Sequence, residues 1–448
     1  MAGLVPAISV LRDRSGAETR TPRPDDEGDR GDGDRALRPR FHKFNQIACK
    51  VAGMKRILLP AIVGALSLGA TSASAQADFR SCLSSLRSQA AAKGISGQAF
   101  DAATRGIEPD LSILDLMKNQ PEFKTPIWDY LAALVDDERV QDGRVAMRQW
   151  GQALASAEAR FGVDRHVIAG VWGVESNFGK DIGGRPLVQS LTTLVCYAPR
   201  RNEYFKGELM ATLKIVQDGD INPANLRGSW AGAFGHTQFM PSTFQRLAVD
   251  GDGDGRRDIM GSVPDAVHST ANFLKRAGWV KGLPWGYEVR LPRNFNPKLA
   301  GRKSKRPLSS WAAMGVTRVD GRPLSGNYHA GIIIPAGVNG PAFLVTKNFD
   351  AVYSYNAAES YGLAIALLGD RLKGLPGIQT AWPTDDPPLS RAQRRELQTL
   401  LLSRGYDIGE VDGKIGSKTR EAIKDVERRI GLEPRGRPGG KVLEALRG

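Results

Sequence analysis

Glu175 carries the residue chemistry that stands out first. It follows the apolar run Val167-Ile168-Ala169-Gly170-Val171-Trp172-Gly173-Val174, and the chain then turns through Ser176-Asn177-Phe178-Gly179. A carboxyl beside Val171 and Trp172 loses hydration, which raises its pKa and keeps it protonated near neutrality. A protonated carboxyl in a cleft can give its proton to a glycosidic oxygen. On periodicity alone the plainer reading is favoured, an exposed or loop-capping Glu at a helix end, because perturbed carboxylates also occur in structural networks.

Three further stretches carry unusual side chains. Gly228-Ser229-Trp230-Ala231-Gly232-Ala233-Phe234-Gly235-His236-Thr237-Gln238-Phe239-Met240-Pro241-Ser242-Thr243-Phe244 alternates small and aromatic residues around one uncharged amide, Gln238. Such a surface lets a sugar ring stack while an amide bonds its substituents; a tightly packed loop with no ligand is the alternative. Tyr355-Asn356 offers a phenol and an amide before the last long helix of the large unit, with a simple N-cap by Asn356 as the alternative. Asp250, Asp252, Asp254 and Asp258 fall at positions 1, 3, 5 and 9 of an EF-hand-like loop, with the turn residue Gly255 at 6. Position 12 is Gly261 where a bidentate Glu belongs, and Asp265 lies a little beyond. Carboxylates this close repel unless a cation neutralises them, so a structural Ca²⁺ is expected here ahead of Mg²⁺; a solvated turn capped by Asp side chains is the alternative.

The elements that must position these residues are mostly helical. Apolar spacing predicts helices over 81–92, 129–135, 143–161, 164–175, 203–217, 265–277 and 357–373, with Asp164 capping the helix that runs into Glu175. Residues 283–349, rich in Gly and Pro with short Val/Ile/Leu runs, read as a small β-containing insertion able to wall a groove. The large unit spans 78–375. A Pro- and Asp-rich linker, 376–388, reads as an extended spacer before a small module at 389–448.

Upstream, Met54-Lys55-Arg56, an apolar run to Leu68 and Ala73-Ser74-Ala75 form the pattern of a secretory signal peptide over 54–75, with cleavage expected after Ala75. Residues 1–53 are Arg/Asp/Gly/Pro-rich and read as a disordered stretch or an over-extended gene start. The chain has 62 Lys and Arg against 48 Asp and Glu, a formal charge of +14. That balance suits a polyanionic partner such as a cell wall. Export and the lack of a nucleic-acid-binding motif argue against nucleic acid. Beyond the signal segment two cysteines remain, Cys82 and Cys196, and an oxidising compartment makes a disulfide between them the expectation.

Glu175-Ser176-Asn177-Phe178-Gly179, the 228–242 stretch and Tyr355-Asn356, in this order, resemble the membrane-bound lytic murein transglycosylase B family; Arg200 to Phe205 and Ala277-Gly278-Trp279 add smaller matches. The resemblance covers about 78–375 and implies a mainly α, lysozyme-like α+β catalytic domain. It implies cleavage of the β-1,4 bond between N-acetylmuramic acid and N-acetylglucosamine of peptidoglycan glycan strands, with no cofactor in the chemistry. Glu175 would be the single acid/base, and Ser229, Gln238, Tyr355 and Asn356 would line the sugar subsites. His236 and Phe234 stand where the family commonly has Gln and Met. Residues 389–448 resemble a three-helix peptidoglycan-binding domain, with Val426-Glu427 in place of the usual Phe-Gln. A lone carboxylate fits a lytic transglycosylase better than a hydrolase, which needs two acids flanking the bond. The expected setting is the periplasm, in cell-wall turnover, alone or beside other wall enzymes. A non-catalytic murein-binding scaffold and a hydrolytic muramidase are the competing readings.

Overall fold

The computed structural model describes residues 67–117 and 125–448, with side chains from Asp78 onward. Residues 1–53 and most of the expected signal peptide therefore lie outside the described residues; the expected cleavage point falls within the first helix. Ala75 to Gly448 belong to one compact unit. No helix among the described residues is long and apolar enough to cross a membrane.

Helices α1 (Ser67–Ala92), α2 (Gly97–Thr104), α3 (Ser112–Leu116) and α4 (Ile127–Leu134) lead to α5 (Asp137–Gln149), α6 (Gly151–Phe161) and α7 (Arg165–Ser176). The single helix expected over 143–161 is two. The chain breaks at Trp150, whose N–H closes α5 on Ala146 and whose carbonyl opens α6 to Leu154, next to Gly151. Strand β1 (Arg185–Pro186) precedes α8 (Leu187–Tyr197) and α9 (Asn202–Asp218), then pairs antiparallel with β2 (Arg227–Gly228). Helices α10 (Pro241–Leu247) and α11 (Val263–Arg276) flank the Asp-rich loop.

The insertion is a five-stranded antiparallel sheet, in spatial order β4-β6-β7-β3-β5, built from β3 (Gly286–Arg290), β4 (Arg306–Pro307), β5 (Thr317–Arg318), β6 (His329–Ile333) and β7 (Ala342–Val345). Helix α12 (Leu308–Ala313) gives it a core of its own through Leu308 and Trp311 against Val289, Ile332 and Leu344. Ile333, Phe343 and Val345 face the main core instead. Each strand alternates sides, so one sheet serves two cores. Helices α13 (Lys347–Tyr353) and α14 (Glu359–Leu372) close the large unit.

Helix α7 is the centre of the molecule: every residue from Val167 to Ser176 is buried. It lies against α14 with backbone touching backbone. A Cβ on Gly170 would stand 2.5 Å from the Ile365 carbonyl oxygen, and one on Gly369 would stand 3.0 Å from that of His166. Glycine is needed at both places because nothing larger fits between the helices. A disulfide joins Cys82 of α1 to Cys196 of α8, 114 residues apart in sequence, with Cα atoms 6.0 Å apart. Closing so long a loop restricts the unfolded chain and so favours the folded one.

The linker is tied down along its course. The amides of Gln379 and Thr380 donate to the Glu288 carboxylate, and Trp382 packs on Trp128. The module consists of α15 (Arg391–Ser403), α16 (Ser417–Arg429) and α17 (Gly440–Arg447) around Leu397, Leu401, Ile423, Val442 and Leu446. Ser390 and Gln393 form a capping box on α15. Buried Gln398 holds the 410–414 turn, donating to the Glu410 and Lys414 carbonyls and accepting from the Gly413 amide. The unusual Val426-Glu427 pair has a local reason. Val426 enters the core, and Glu427 accepts the amides of Gly436 and Arg437.

Candidate active site

Asp164 starts α7 by accepting the His166 amide, and Asn177 ends it in the left-handed region at φ 50°. Phe178 follows with φ 58°, and its ring folds back edge-on to Trp172 and over Gly173. This reversal places Glu175 on the last turn of a buried helix, with the chain leaving sharply beneath it. Glu175 is 7 % exposed. Burial pushes its carboxyl up to about 8, opposed by the Tyr361 hydroxyl, which donates to Oε1. The group is therefore protonated at neutral pH, as a proton donor must be.

Tyr361 comes from the first turns of α14, which the glycine contacts press against α7. Its ring lies nearly parallel to that of Tyr355, 6.4 Å away. Tyr355 packs on Phe239 and Phe273 and donates its hydroxyl to the Thr237 carbonyl at 2.7 Å. Burial holds both phenols protonated, far above the usual tyrosine range, and Glu175 acts the same way once it ionises. Asn356 is 3 % exposed, and its Oδ1 has no hydrogen-bond partner. The same is true of Thr237 Oγ1. Buried acceptors left open are costly unless something fills them, and a ligand is one such filler.

The 228–240 stretch is a tight loop fixed to the chain that leaves α7. Ser229 exchanges two hydrogen bonds with Ala233, through its own amide and its Oγ. Gln238 takes φ 50° and donates from Nε2 to the carbonyls of Ile182, at 3.0 Å, and Gly235, at 2.9 Å. Ser176 Oγ donates to the His236 carbonyl at 2.5 Å, and Trp172 Nε1 donates to His236 Nδ1 at 3.1 Å. Gly183 lies so close to Gly228 and Ser229 that a Cβ would collide with their backbone. Residues 176–183 and 228–240 thus form one block around Glu175.

The structure brings Glu175 together with Tyr361, a residue that apolar spacing marks only as part of the 357–373 helix. A phenol six residues after Tyr355 marks the helix but not the partner it would meet. The loop of Gln238 reaches this centre through Thr237 and Tyr355. Ser229 joins it only through the backbone of the loop. Among the described residues no second carboxylate hydrogen-bonds to Glu175.

The Asp-rich loop is a separate feature. Carboxylate oxygens of Asp250, Asp252 and Asp254 all lie within 4.8 Å of one another. Asp258 is not part of this group, and its Oδ1 caps the amides of Met260 and Gly261. Asp265 ties the loop's ends together, accepting from the Gly251 amide at 2.7 Å and the Asp258 amide at 2.6 Å.

Comparison with known proteins gives the family of both parts of the chain. Residues 78–370 match the Transglycosylase SLT domain family, and residues 390–446 match a peptidoglycan binding domain family. The chain is 35 % identical over 273 residues to membrane-bound lytic murein transglycosylase B of Escherichia coli (strain K12), covering 58 % of this chain and 73 % of that protein. SltB3 from Pseudomonas aeruginosa, solved in complex with NAG-anhNAM-pentapeptide, is similar at 45 % identity and a TM-score of 0.67, covering 83 % of this chain and 99 % of that one. Escherichia coli lytic transglycosylase Slt35, solved in complex with calcium, is similar at 31 % identity and a TM-score of 0.57, covering 66 % of this chain and 92 % of that one. The family match over 78–370, together with these relatives, makes the protein a lytic transglycosylase, and the chain belongs to the transglycosylase SLT family.

Proposed function

We propose that this enzyme cleaves the β-1,4 bond between N-acetylmuramic acid and N-acetylglucosamine in peptidoglycan without consuming water, with Glu175 as its only acid/base. The observation that carries the reading is the geometry of Glu175: it is buried, it accepts a hydrogen bond from Tyr361 and, among the described residues, it bonds to no second carboxylate. Glu175 donates its proton to the glycosidic oxygen as the C1–O bond breaks. The muramic N-acetyl group stabilises the cation left at C1. The carboxylate, steadied by the Tyr361 hydroxyl, then takes the proton of the C6 hydroxyl, whose oxygen closes on C1. The product is a 1,6-anhydro sugar and Glu175 is protonated again. Both proton transfers use one group, so a second acid is not required, as it would be in a hydrolase.

Around this step, Asn356 Oδ1 and the Gln238 amide oxygen are the acceptors available to sugar N–H and O–H groups, because Gln238 Nε2 is committed to backbone. Ser229 shapes the loop and offers its hydroxyl hydrogen. Asp250, Asp252 and Asp254 fit a hard cation such as Ca²⁺, since the Arg256–Asp254 pair offsets only part of the repulsion among three clustered carboxylates. The ion would brace the loop between α10 and α11, away from the proton transfers. Periplasmic action in wall turnover agrees with the disulfide and the wall-binding module. Incubating purified murein with the enzyme and with Glu175→Gln tests the assignment. Soluble muropeptides should appear only with the parent; release by the Gln variant at the parent's rate would overturn it.

A further inference from the structure

Helix α5 has one face toward the wall-binding module and another toward the end of α7. On the first face the charges sort by sign. Arg395 of the module meets Glu138 at 2.9 Å, and Arg391 lies 3.7 Å from Asp136 and 3.8 Å from Asp142. Arg437 clamps Asp129 of α4 through two bonds of 2.8 Å. In each of these pairs the module supplies the cation and the large unit the acid, the pattern of a complementary docked face.

The second face connects these same residues to Glu175. Asp136 Oδ1 caps α5 by accepting the Arg139 amide at 2.9 Å. The buried Arg139 side chain then donates to the Gly173 carbonyl, two residues before Glu175. Its positive charge there also suits the negative end of the α7 dipole. Asp142, which faces Arg391 of the module, binds Lys180 of the post-helix loop at 2.8 Å. A direct contact completes the set: Lys414 of the module pairs with Asp181 at 2.6 Å. Asp181 adjoins Ile182, whose carbonyl holds Gln238.

We propose that the docked peptidoglycan-binding module is a positioning element for catalysis, and that Arg391 and Lys414 act through Asp136, Arg139, Asp142 and Asp181 to fix the end of α7 and the loop beneath Glu175. The module thus does more than hold the enzyme on the wall. The proposal rests on the reading of Glu175 as the acid/base.

The test uses the full chain and a soluble peptidoglycan tetrasaccharide, too short to benefit from a wall tether. Lys414→Asp should lower kcat about threefold with KM unchanged, the scale of one half-exposed ion pair. Asp181→Lys should do the same, and the double charge swap should restore kcat. Arg391→Met, which strips the buried Asp136 of its nearest module cation, should lower kcat about tenfold. Arg447→Met, whose partners Glu396 and Glu444 lie in the module itself, should match the parent. A merely structural or tethering role predicts parent kcat on this substrate in Lys414→Asp and Arg391→Met, and that result overturns the proposal, as does a swap that fails to restore. If Arg391→Met does not fold, the half-exposed Lys414/Asp181 pair decides. Glu175→Gln is measured alongside: full activity there defeats the catalytic assignment, while the docking effect is read only from variants that keep Glu175.

Discussion

Tyr361→Phe separates the proton affinity of Glu175 from its presence. In the native site burial raises the carboxyl to about 8, and the Tyr361 hydroxyl works against that rise by donating to the ionised form. Removing the hydroxyl leaves a buried carboxylate with no side-chain donor among the described residues. A hydrogen bond to a charged group is worth ~1.5–3 kcal/mol, and part of that is kept by the neutral acid, so the difference between the two forms is about 1.4 kcal/mol, or about one pH unit. The free enzyme must start protonated, so kcat/KM falls as pH rises through the Glu175 pKa. The alkaline limb should therefore move up by about one pH unit in Tyr361→Phe. The maximal rate should also drop roughly tenfold, because the carboxylate formed after proton donation loses its stabiliser. The assay is the initial rate of muropeptide release across a pH series, compared between parent and variant. An alkaline limb that stays in place, or moves to lower pH, would mean that the Tyr361 hydroxyl does not stabilise the ionised Glu175.

Other consequences follow from the same geometry. The folded state keeps a proton on Glu175 from about 4.5, where the unfolded chain loses it, up to about 8, so its stability falls as pH rises through that window. Glu175→Gln should then melt several degrees above the parent near the upper end of the window and close to it at the lower end; equal midpoints throughout would contradict a buried, protonated acid. Gly170→Ala places a methyl 2.5 Å from the Ile365 carbonyl oxygen and should cost ~1–3 kcal/mol, read as a lower melting midpoint and impaired activity. No change in either would mean the helices are not in backbone contact. Chelation should lower the melting midpoint and Ca²⁺ should restore it, with Asp252→Asn losing the response. A midpoint indifferent to Ca²⁺ would count against the Asp250/Asp252/Asp254 site.

Much of this molecule was legible in its sequence because local rules and tertiary packing agree there. Helix α7 could be placed from its apolar run and its Asp164 cap, and the module from its turns and short helices. The break at Trp150 was hidden because apolar spacing continues smoothly from α5 into α6, while the chain's direction does not. Glu175 on its own looked like a helix-end carboxylate; its neighbours in sequence, Val171 and Trp172, suggested burial but not the partner. Tyr361 arrives from 186 residues away, through a glycine contact between two helices that no local pattern encodes. Arg139 was missed for the same reason, since an Arg in so polar a stretch reads as solvated until its partner on α7 is seen. In the Asp-rich loop, spacing alone grouped Asp258 with the other three, whereas its short turn to Met260 and Gly261 takes its carboxylate elsewhere.

The central claim is that one carboxyl, acting first as acid and then as base, cleaves the glycan without water. Digestion of purified murein in oxygen-18 water, followed by mass spectrometry of the released muropeptides, tests it most directly. Muramic ends should be lighter by one water than reducing ends and free of the heavy isotope. Reducing ends that each carry one heavy oxygen would contradict it.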